Sequence, residues 1–107
     1  MKRGDIVSVS LPGNYGKPRP ALIIQSDFFN SHPSVTVLPI TSELRDTPLF
    51  RITVEPEKEN GLNKKSQIMI DKAHTVPFEK VSEPFGKLSD EKMVAINKSL
   101  ALFLGFA

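Results

Sequence analysis

The chain of 107 residues is 39% hydrophobic and 24% charged, a composition typical of one soluble globular domain spanning residues 1–107. It has no cysteine, which excludes disulfides, a thiol nucleophile and thiolate metal sites. Its formal net charge of +2 permits a polyanionic partner without requiring one, and its apolar stretches are too short for a signal peptide or a membrane span. We therefore expect a cytoplasmic protein with no membrane partner.

The first part of the chain predicts short strands separated by a loop and a turn. Residues 6–11 alternate apolar with polar side chains and predict a strand. The stretch PGNYGKPRP, residues 12–20, predicts a loop, and the continuous apolar run 21–24 predicts a central strand. Residues 27–30 can form a helical turn capped by Asp27.

The middle of the chain predicts three further strands. Residues 34–41, SVTVLPIT, form a β-branched alternating pattern in which Pro39 marks a bulge or a sheet edge. Residues 49–55, LFRITVE, predict a second strand. QIMID and AHTV, within residues 67–76, predict one more strand with a bend near Lys72.

Two segments give weaker patterns. Residues 56–65, PEKENGLNKK, predict a polar loop with an Asn-Gly turn signal. The chain gathers lysines in and just after this loop, namely Lys58, Lys64, Lys65 and Lys72. They indicate either a solvated loop or part of a polyanion-binding surface. A short strand is expected around Val81.

The C-terminal segment gives the clearest pattern, a helix. Ser89 is suited to cap its N-terminus, Asp90 and Glu91 suit the positive end of its dipole, and Gly105 is suited to end it. Apolar residues recur at helical spacing and cover an unusually wide face, namely Met93, Val94, Ile96, Leu100, Leu102, Phe103 and Leu104. A face this wide predicts either a deep core helix or a contact in a homodimer.

Together these elements predict an α+β fold that is mainly β. Five or six short strands follow one another without intervening long helices, which argues against a parallel βαβ sheet. The prediction is a small, strongly bent antiparallel sheet or barrel with a C-terminal helix packed on it.

The sequence lacks the motifs of several kinds of enzyme. Its glycines never reach the spacing of a phosphate-binding loop, and no G-x-S-x-G elbow is present. His32 and His74 stand alone, without metal-ligand spacing. An enzyme with this sequence is therefore expected to need no cofactor and no metal.

Arg19 is held in an unusual setting, between Pro18 and Pro20 and directly before an apolar strand. Both prolines restrict the backbone. A rigid mount benefits an arginine that grips a phosphate, because bidentate recognition depends on position. The alternative is a surface charge at the start of a strand.

Other polar groups stand at the ends of separate strands. Thr41 and Ser42 end the third strand and can bind a ligand or form a turn with their own backbone, while Arg45 in the next loop is expected to be solvated. Asp71 and His74 are three residues apart and can exchange protons with a substrate. The alternative is that Asp71 caps a turn and His74 is half-buried. A bent sheet would gather these groups into one cleft suited to an anionic substrate with a transferable proton.

Several stretches occur together in the order found in one family: GDIV at 4–7, RPALII at 19–24, the helical turn with Asn30, PIT at 39–41, DKAHT at 71–75 and LSDEKM at 88–93. Across nearly the whole chain they resemble the MazF/PemK (Kid)-type toxins of bacterial toxin–antitoxin modules. The resemblance implies the small SH3-like barrel shared with the CcdB gyrase toxin, and a homodimer. It also implies metal-independent, sequence-specific cleavage of single-stranded RNA, chiefly mRNA, and a cognate antitoxin that blocks the RNA groove.

The resemblance also implies roles for individual residues. Arg19 matches the active-site arginine, which would stabilise negative charge on the phosphate when a 2′-hydroxyl attacks it. Thr41 matches the active-site hydroxyl that positions the phosphate, with Ser42 assisting. Asp71 matches an acid proposed as the base in some members.

The chain departs from the family pattern at two places. The loop 12–17 is shorter than usual and carries Asn14 and Tyr15 in place of a histidine; Tyr15 can stack on a base or pack on the barrel. Met69 occupies a position where some members have a second arginine. Phosphate binding is therefore expected to shift to Lys17, Arg45 or His74.

Two other functions remain open on the sequence. A gyrase poison of the CcdB class would have the same fold, but that class relies on a C-terminal Trp-Gly-Ile, and this chain ends in LFLGFA and has no tryptophan. A non-catalytic SH3-like binding module is compatible with the composition. In such a module Arg19 and Thr41 would be replaceable.

Overall fold

The computed structural model describes residues 1–10 and 17–106. Within this part of the chain it contains one α-helix and the strands of a seven-stranded sheet. The elements are β1 (Asp5–Val9), β2 (Arg19–Ile23), β3 (Ser34–Thr41), β4 (Arg51–Val54), β5 (Ser66–Met69), β6 (His74–Pro77), β7 (Gly86–Lys87) and α1 (Asp90–Leu104). Short 3₁₀ turns span Asp27–Phe29, Ile70–Lys72 and Phe78–Lys80. The helix, the one α-helix in the described residues, lacks the length and hydropathy needed to cross a membrane.

The strands of the described chain pair antiparallel, in the order β4-β5-β3-β2-β1-β7. Strand β6 pairs with β3 beside β5, so β3 is bordered by β2 on one edge and by both β5 and β6 on the other. The curled antiparallel sheet with a C-terminal helix confirms the predicted fold class. The β3 strand therefore acts as the common reference for residues of β2, β5 and β6.

The strand predicted within residues 67–76 is interrupted rather than merely bent. The 3₁₀ turn Ile70–Lys72 separates β5 from β6. Both strands pair with β3, which leaves Leu38 and Pro39 opposite the break. Pro39 was predicted to mark a bulge or a sheet edge; it lies within β3, where it pairs with Ala21 of β2 and has no backbone N–H to donate to a ladder.

Several strand boundaries differ from the prediction, among them those of β4, which spans Arg51–Val54 instead of residues 49–55. Strand β2 begins at Arg19 rather than residue 21, because Arg19 pairs with Val9 of β1. Strand β1 ends at Val9 among the described residues, and the predicted end at Leu11 lies outside them. Val81 forms only an isolated bridge with Val9 instead of the expected strand, and the sheet edge is formed by β7.

Alternating side chains bury both faces of the sheet. One cluster contains Ile6, Leu22 and Leu38 together with Ile96 of α1, so the helix packs on this face. The neighbouring residues, such as Val7 and Val37, belong to a second cluster on the other face. This double burial explains why β2 reads as a continuous apolar run.

The helix has the predicted ends but not the predicted burial. The backbone N–H of Lys92 donates to Ser89 Oγ (3.2 Å), and Gly105 adopts the left-handed conformation with φ +84°. Ile96 is the one fully buried residue of α1 in the described structure. The deep core helix is therefore wrong, because apolar residues remain about half exposed, namely Val94, Leu102, Phe103 and Leu104. The homodimer contact stays a prediction.

Candidate active site

An open cavity of about 790 Å³ lies where several strands begin or end. Arg19 starts β2, Thr41 ends β3, Ser42 follows it, and His74 starts β6, and all of them line the cavity. The curled sheet thus brings together four of the residues predicted from the sequence. The volume of the cavity is within the range of about 300–1,000 Å³ that is usual for ligand sites.

Arg19 is fixed at the backbone and exposed at the side chain. Its pairing with Val9 places it in the ladder between β1 and β2, and Pro20 beside it pairs with Ser8 and lines the same cavity. Within residues 1–10 and 17–106 the guanidinium makes no hydrogen bond and no ion pair. A guanidinium suits an anionic ligand, because it can donate two parallel hydrogen bonds to a phosphate or carboxylate.

Thr41 combines both roles that the sequence left open. The backbone N–H of Glu43 donates to Thr41 Oγ1 (3.0 Å), which closes a turn at the end of β3. This bond uses a lone pair of the oxygen and leaves the hydroxyl hydrogen free to donate. The turn therefore orients the hydroxyl, which can still bind an anion in the cavity.

His74 is held in one tautomer by its own loop. Its Nδ1 lies 2.6 Å from the carbonyl oxygen of Lys72. A carbonyl can only accept, so Nδ1 carries the hydrogen, and the neutral ring has its lone pair at Nε2. The side chain is exposed on the cavity and can accept a proton there.

Asp71 lies in the 3₁₀ turn before β6 and is absent from the described lining of the cavity. Its Oδ2 is 3.8 Å from Lys72 Nζ. Its Oδ1 is buried and has no hydrogen-bond partner among the described residues. Asp71 is therefore not among the described lining residues, although Met69 and Lys72, which lie on either side of it in the chain, do line the cavity.

Two other predicted residues, Arg45 and Lys17, are also not among the described lining residues. Arg45 forms an exposed ion pair with Glu43 (2.8 Å). The backbone of Arg45 is held by the buried side chain of Gln67, which accepts from the Arg45 N–H and donates to the Arg45 carbonyl. Lys17 is exposed but is not among the described lining residues. Tyr15 lies outside the described residues.

The cavity is positively charged. Its described lining includes three cations, Arg19, Lys64 and Lys72, and a single acidic side chain, Glu43. Glu43 pairs with Arg45, and Lys72 pairs with Asp71. Such a surface favours an anionic ligand. Two lysines of the cluster noted in the sequence thus belong to the site, whereas Lys65 pairs with Glu55 (3.6 Å).

Sequence reasoning missed the segment Gly61–Lys64 and Phe85, which form another part of the lining. The Asn-Gly signal at Asn60 and Gly61 indicated a turn, but not its place in the fold. The position is fixed by Asn60, whose buried side chain accepts from the N–H groups of Glu57 (3.1 Å) and Leu62 (3.0 Å) and donates to the Glu55 carbonyl (2.9 Å).

In the described ranges, 1–10 and 17–106, no three histidine, aspartate or glutamate side chains form a group that could hold a metal ion.

Comparison with known proteins gives consistent matches over most of the chain. A family model described as "PemK-like, MazF-like toxin of type II toxin-antitoxin system" matches residues 2–104. A curated protein of Mycolicibacterium smegmatis, "Probable endoribonuclease MazF", is 46% identical over 108 residues, covering 100% of this chain and 99% of that protein.

Two solved structures are similar in fold. "Mycobacterium tuberculosis toxin MazF-mt6" has a TM-score of 0.78 at 27% identity and covers 92% of this chain and 93% of its own. "Endoribonuclease in complex with its cognate antitoxin from Mycobacterial species" has a TM-score of 0.83 at 22% identity, with 100% and 97% covered. At this last identity the likeness supports the fold alone.

Proposed function

The chain belongs to the PemK-like, MazF-like toxin family of type II toxin–antitoxin systems, and we propose that it is a sequence-specific endoribonuclease of single-stranded RNA, chiefly mRNA. The observation that carries this proposal is the cavity, where a fixed guanidinium, an oriented hydroxyl and an imidazole surround a positively charged space. The reaction is proposed to occur in the cytoplasm, where mRNA is found. Of the three functions open on the sequence, this is the one that the family membership supports.

The proposed reaction needs no water and no metal ion. The 2′-oxygen of a ribose attacks the neighbouring phosphorus, so a bond forms between O2′ and phosphorus while the bond to O5′ breaks. The products are a 2′,3′-cyclic phosphate and a 5′-hydroxyl. One proton leaves the 2′-hydroxyl and one reaches the 5′-oxygen, so the enzyme must move a proton and stabilise charge on the phosphoryl oxygens.

Arg19 and Thr41 supply the charge stabilisation. The guanidinium of Arg19 can pair with two phosphoryl oxygens, and its position in the β1–β2 ladder sets its place before the substrate arrives. The hydroxyl of Thr41 donates to the same phosphate, with Ser42 beside it. Hydrogen bonds from donors that are already in position become stronger as negative charge develops on the phosphate in the transition state.

His74 is proposed to accept the proton of the 2′-hydroxyl at Nε2, because its Nδ1 hydrogen is held by the Lys72 carbonyl. The resemblance noted in the sequence points instead to Asp71, which remains the alternative base. The lining of the cavity favours His74 over Asp71. Lys17 and Arg45 are proposed to contact RNA beyond the scissile phosphate, together with Tyr15.

Two protein partners complete the proposal. The first is a cognate antitoxin, which would cover the cavity and exclude RNA; a structurally similar relative is described in complex with its own antitoxin. The second is another copy of the chain. The apolar residues of α1 that are about half exposed favour a homodimer, because a second copy of the chain would remove them from water.

The test is incubation of the purified protein with a long single-stranded RNA in EDTA, beside Arg19→Ala and Thr41→Ala. Ends are mapped by primer extension, and the 3′ product is examined for a cyclic phosphate. Discrete cuts by the parent, greatly reduced in both variants, are expected. A folded parent that cuts none of several RNAs would overturn the proposal.

A further inference from the structure

Part of the cavity lining has no role in the proposed chemistry. It consists of the segment Gly61–Lys64 and the side chain of Phe85, here called the loop wall. Its side chains are of four kinds: the apolar Leu62, the amide of Asn63, the cation of Lys64 and the aromatic ring of Phe85. These kinds of group differ from the guanidinium, hydroxyl and imidazole that the reaction uses.

Phe85 is held in place although its side chain is exposed. The residue is 44% exposed, and its backbone N–H donates to the Ile6 carbonyl (2.9 Å), which anchors it to β1. Its ring lies against the backbone of Gly61, where an added Cβ would be 2.8 Å from ring atom Cδ1. Gly61 also has φ +69°, a conformation that glycine adopts without strain. The ring is thus positioned by its neighbour and open to the cavity.

The backbone under the loop wall is rigid for a surface loop. Besides the three hydrogen bonds of the Asn60 side chain, the Gly61 N–H donates to the Glu57 carbonyl (3.1 Å). The Lys87 N–H donates to the Glu59 carbonyl (2.9 Å), which ties the loop to β7. A preorganised surface loses less conformational freedom when it binds a ligand.

We propose that the loop wall is a nucleobase-binding subsite. The RNA base next to the scissile phosphate would stack on the ring of Phe85. Aromatic side chains stack on bases, and Leu62 adds apolar contact. The Asn63 amide can bond to a base edge, and Lys64 neutralises an adjoining phosphate. The subsite rests on the proposed function and deepens it, because it makes this wall one of the determinants of which sequence is cut.

The test compares Phe85→Ala with Phe85→Tyr and with a matched control, Phe78→Ala. Phe78 is 48% exposed, similar to Phe85, but is not among the described lining residues. Each protein is titrated with a fluorescein-labelled oligoribonucleotide that carries a 2′-deoxyribose at the cut position and so cannot be cleaved. Cleavage of the all-ribose oligonucleotide gives kcat and KM, and sequencing of the ends from a long RNA gives the sites cut.

We expect Phe85→Ala to weaken binding by about tenfold, to raise KM with little change in kcat, and to change the relative cutting of different sites. Phe85→Tyr should keep the parent behaviour, and so should Phe78→Ala. Unchanged affinity and sites in Phe85→Ala, or an equal loss in Phe78→Ala, would overturn the subsite. Circular dichroism checks that each variant is folded.

Lys64→Gln provides a second arm that does not disturb the packing, because Lys64 is exposed. Loss of one phosphate contact should reduce the slope of log affinity against log salt by about 0.7 for a single strand. An unchanged slope would remove Lys64 from the subsite. A parent that binds the oligonucleotide through Phe85 without cutting any RNA would overturn the proposed nuclease while supporting the subsite, whereas a parent that binds no RNA would overturn both.

Discussion

The Nδ1 atom of His74 lies 2.6 Å from the backbone carbonyl oxygen of Lys72, two residues earlier in the chain. The bond fixes the tautomer of the imidazole that faces the cavity. Because the carbonyl cannot donate, the ring nitrogen that remains open to a substrate is the one with a lone pair. This relationship makes the proposed proton transfer testable by replacement of His74.

We predict that His74→Gln lowers kcat for RNA cleavage by about 100-fold or more, because a general base typically contributes about 10²- to 10⁴-fold. Asp71→Asn should stay within a few-fold of the parent, because Asp71 is not among the described lining residues of the cavity. The measurement is single-turnover cleavage of a labelled oligonucleotide. A severe loss in Asp71→Asn with little change in His74→Gln would assign the base to Asp71.

A second prediction concerns the rigid arginine. Arg19→Lys keeps the charge but not the planar fork, so we expect it to lose activity nearly as severely as Arg19→Ala, by about 100-fold or more in kcat. Single-turnover cleavage at saturating enzyme separates this loss from weakened binding. Near-parent kcat in Arg19→Lys would mean that only charge matters at this position.

A third prediction separates the two functions of the Thr41 hydroxyl. Thr41→Ser keeps both the turn with Glu43 and the free O–H, so its activity should stay within a few-fold of the parent. Thr41→Val has nearly the same shape without the hydroxyl, and its activity should fall roughly 10- to 100-fold, which is the usual effect of losing a hydrogen bond to a charged group. Equal activity of the two variants would exclude a hydroxyl contact to the phosphate.

A fourth prediction concerns the stability of the loop wall. Asn60→Ala removes three hydrogen bonds from a buried side chain and should lower the free energy of unfolding by about 2–3 kcal/mol. Asn63→Ala, on the exposed part of the same loop, should change it by less than about 0.5 kcal/mol. Urea unfolding measures both, and similar values for the two would mean that the Asn60 bonds do not stabilise the fold.

A fifth prediction concerns the exposed face of α1. We expect the parent to sediment as a homodimer, and Leu102→Lys to shift it towards monomer, because the charge would be desolvated at the contact. Leu49→Lys is the control, since Leu49 is 70% exposed on a different segment of the chain. A parent that sediments as a monomer at all concentrations would rule out the dimer.

The features that the sequence predicted well are those set by neighbouring residues. Ser89 and Gly105 define the ends of α1 through bonds within one turn of the helix, so their residue types are sufficient to identify them. Arg19 was singled out by its setting between two prolines and Thr41 by its place at the end of a strand pattern; both line the cavity, and their catalytic roles stay predictions. Their convergence in one cavity followed from the predicted curl of the sheet.

The features that the sequence did not predict depend on distant contacts. Phe85 reaches the cavity because its ring packs on Gly61, and nothing local to Phe85 indicates that neighbour. The wide apolar face of α1 also did not predict the burial of the helix, because the sequence does not show how much of that face the sheet covers. Asp71 and His74 were paired in the prediction by spacing, but the turn Ile70–Lys72 places only His74 in the described lining.

The β3 strand borders each strand that carries a proposed catalytic group. Thr41 ends it, His74 pairs with its Val37, and Arg19 lies on the adjacent strand β2. The backbone positions of the three groups are therefore set by hydrogen bonds of the sheet itself. In the proposed nuclease, a chain that has folded already carries these groups in place. Protection of the cell would then depend on timing: an inhibitor already present during synthesis is effective, and one made afterwards arrives when RNA has begun to be cut.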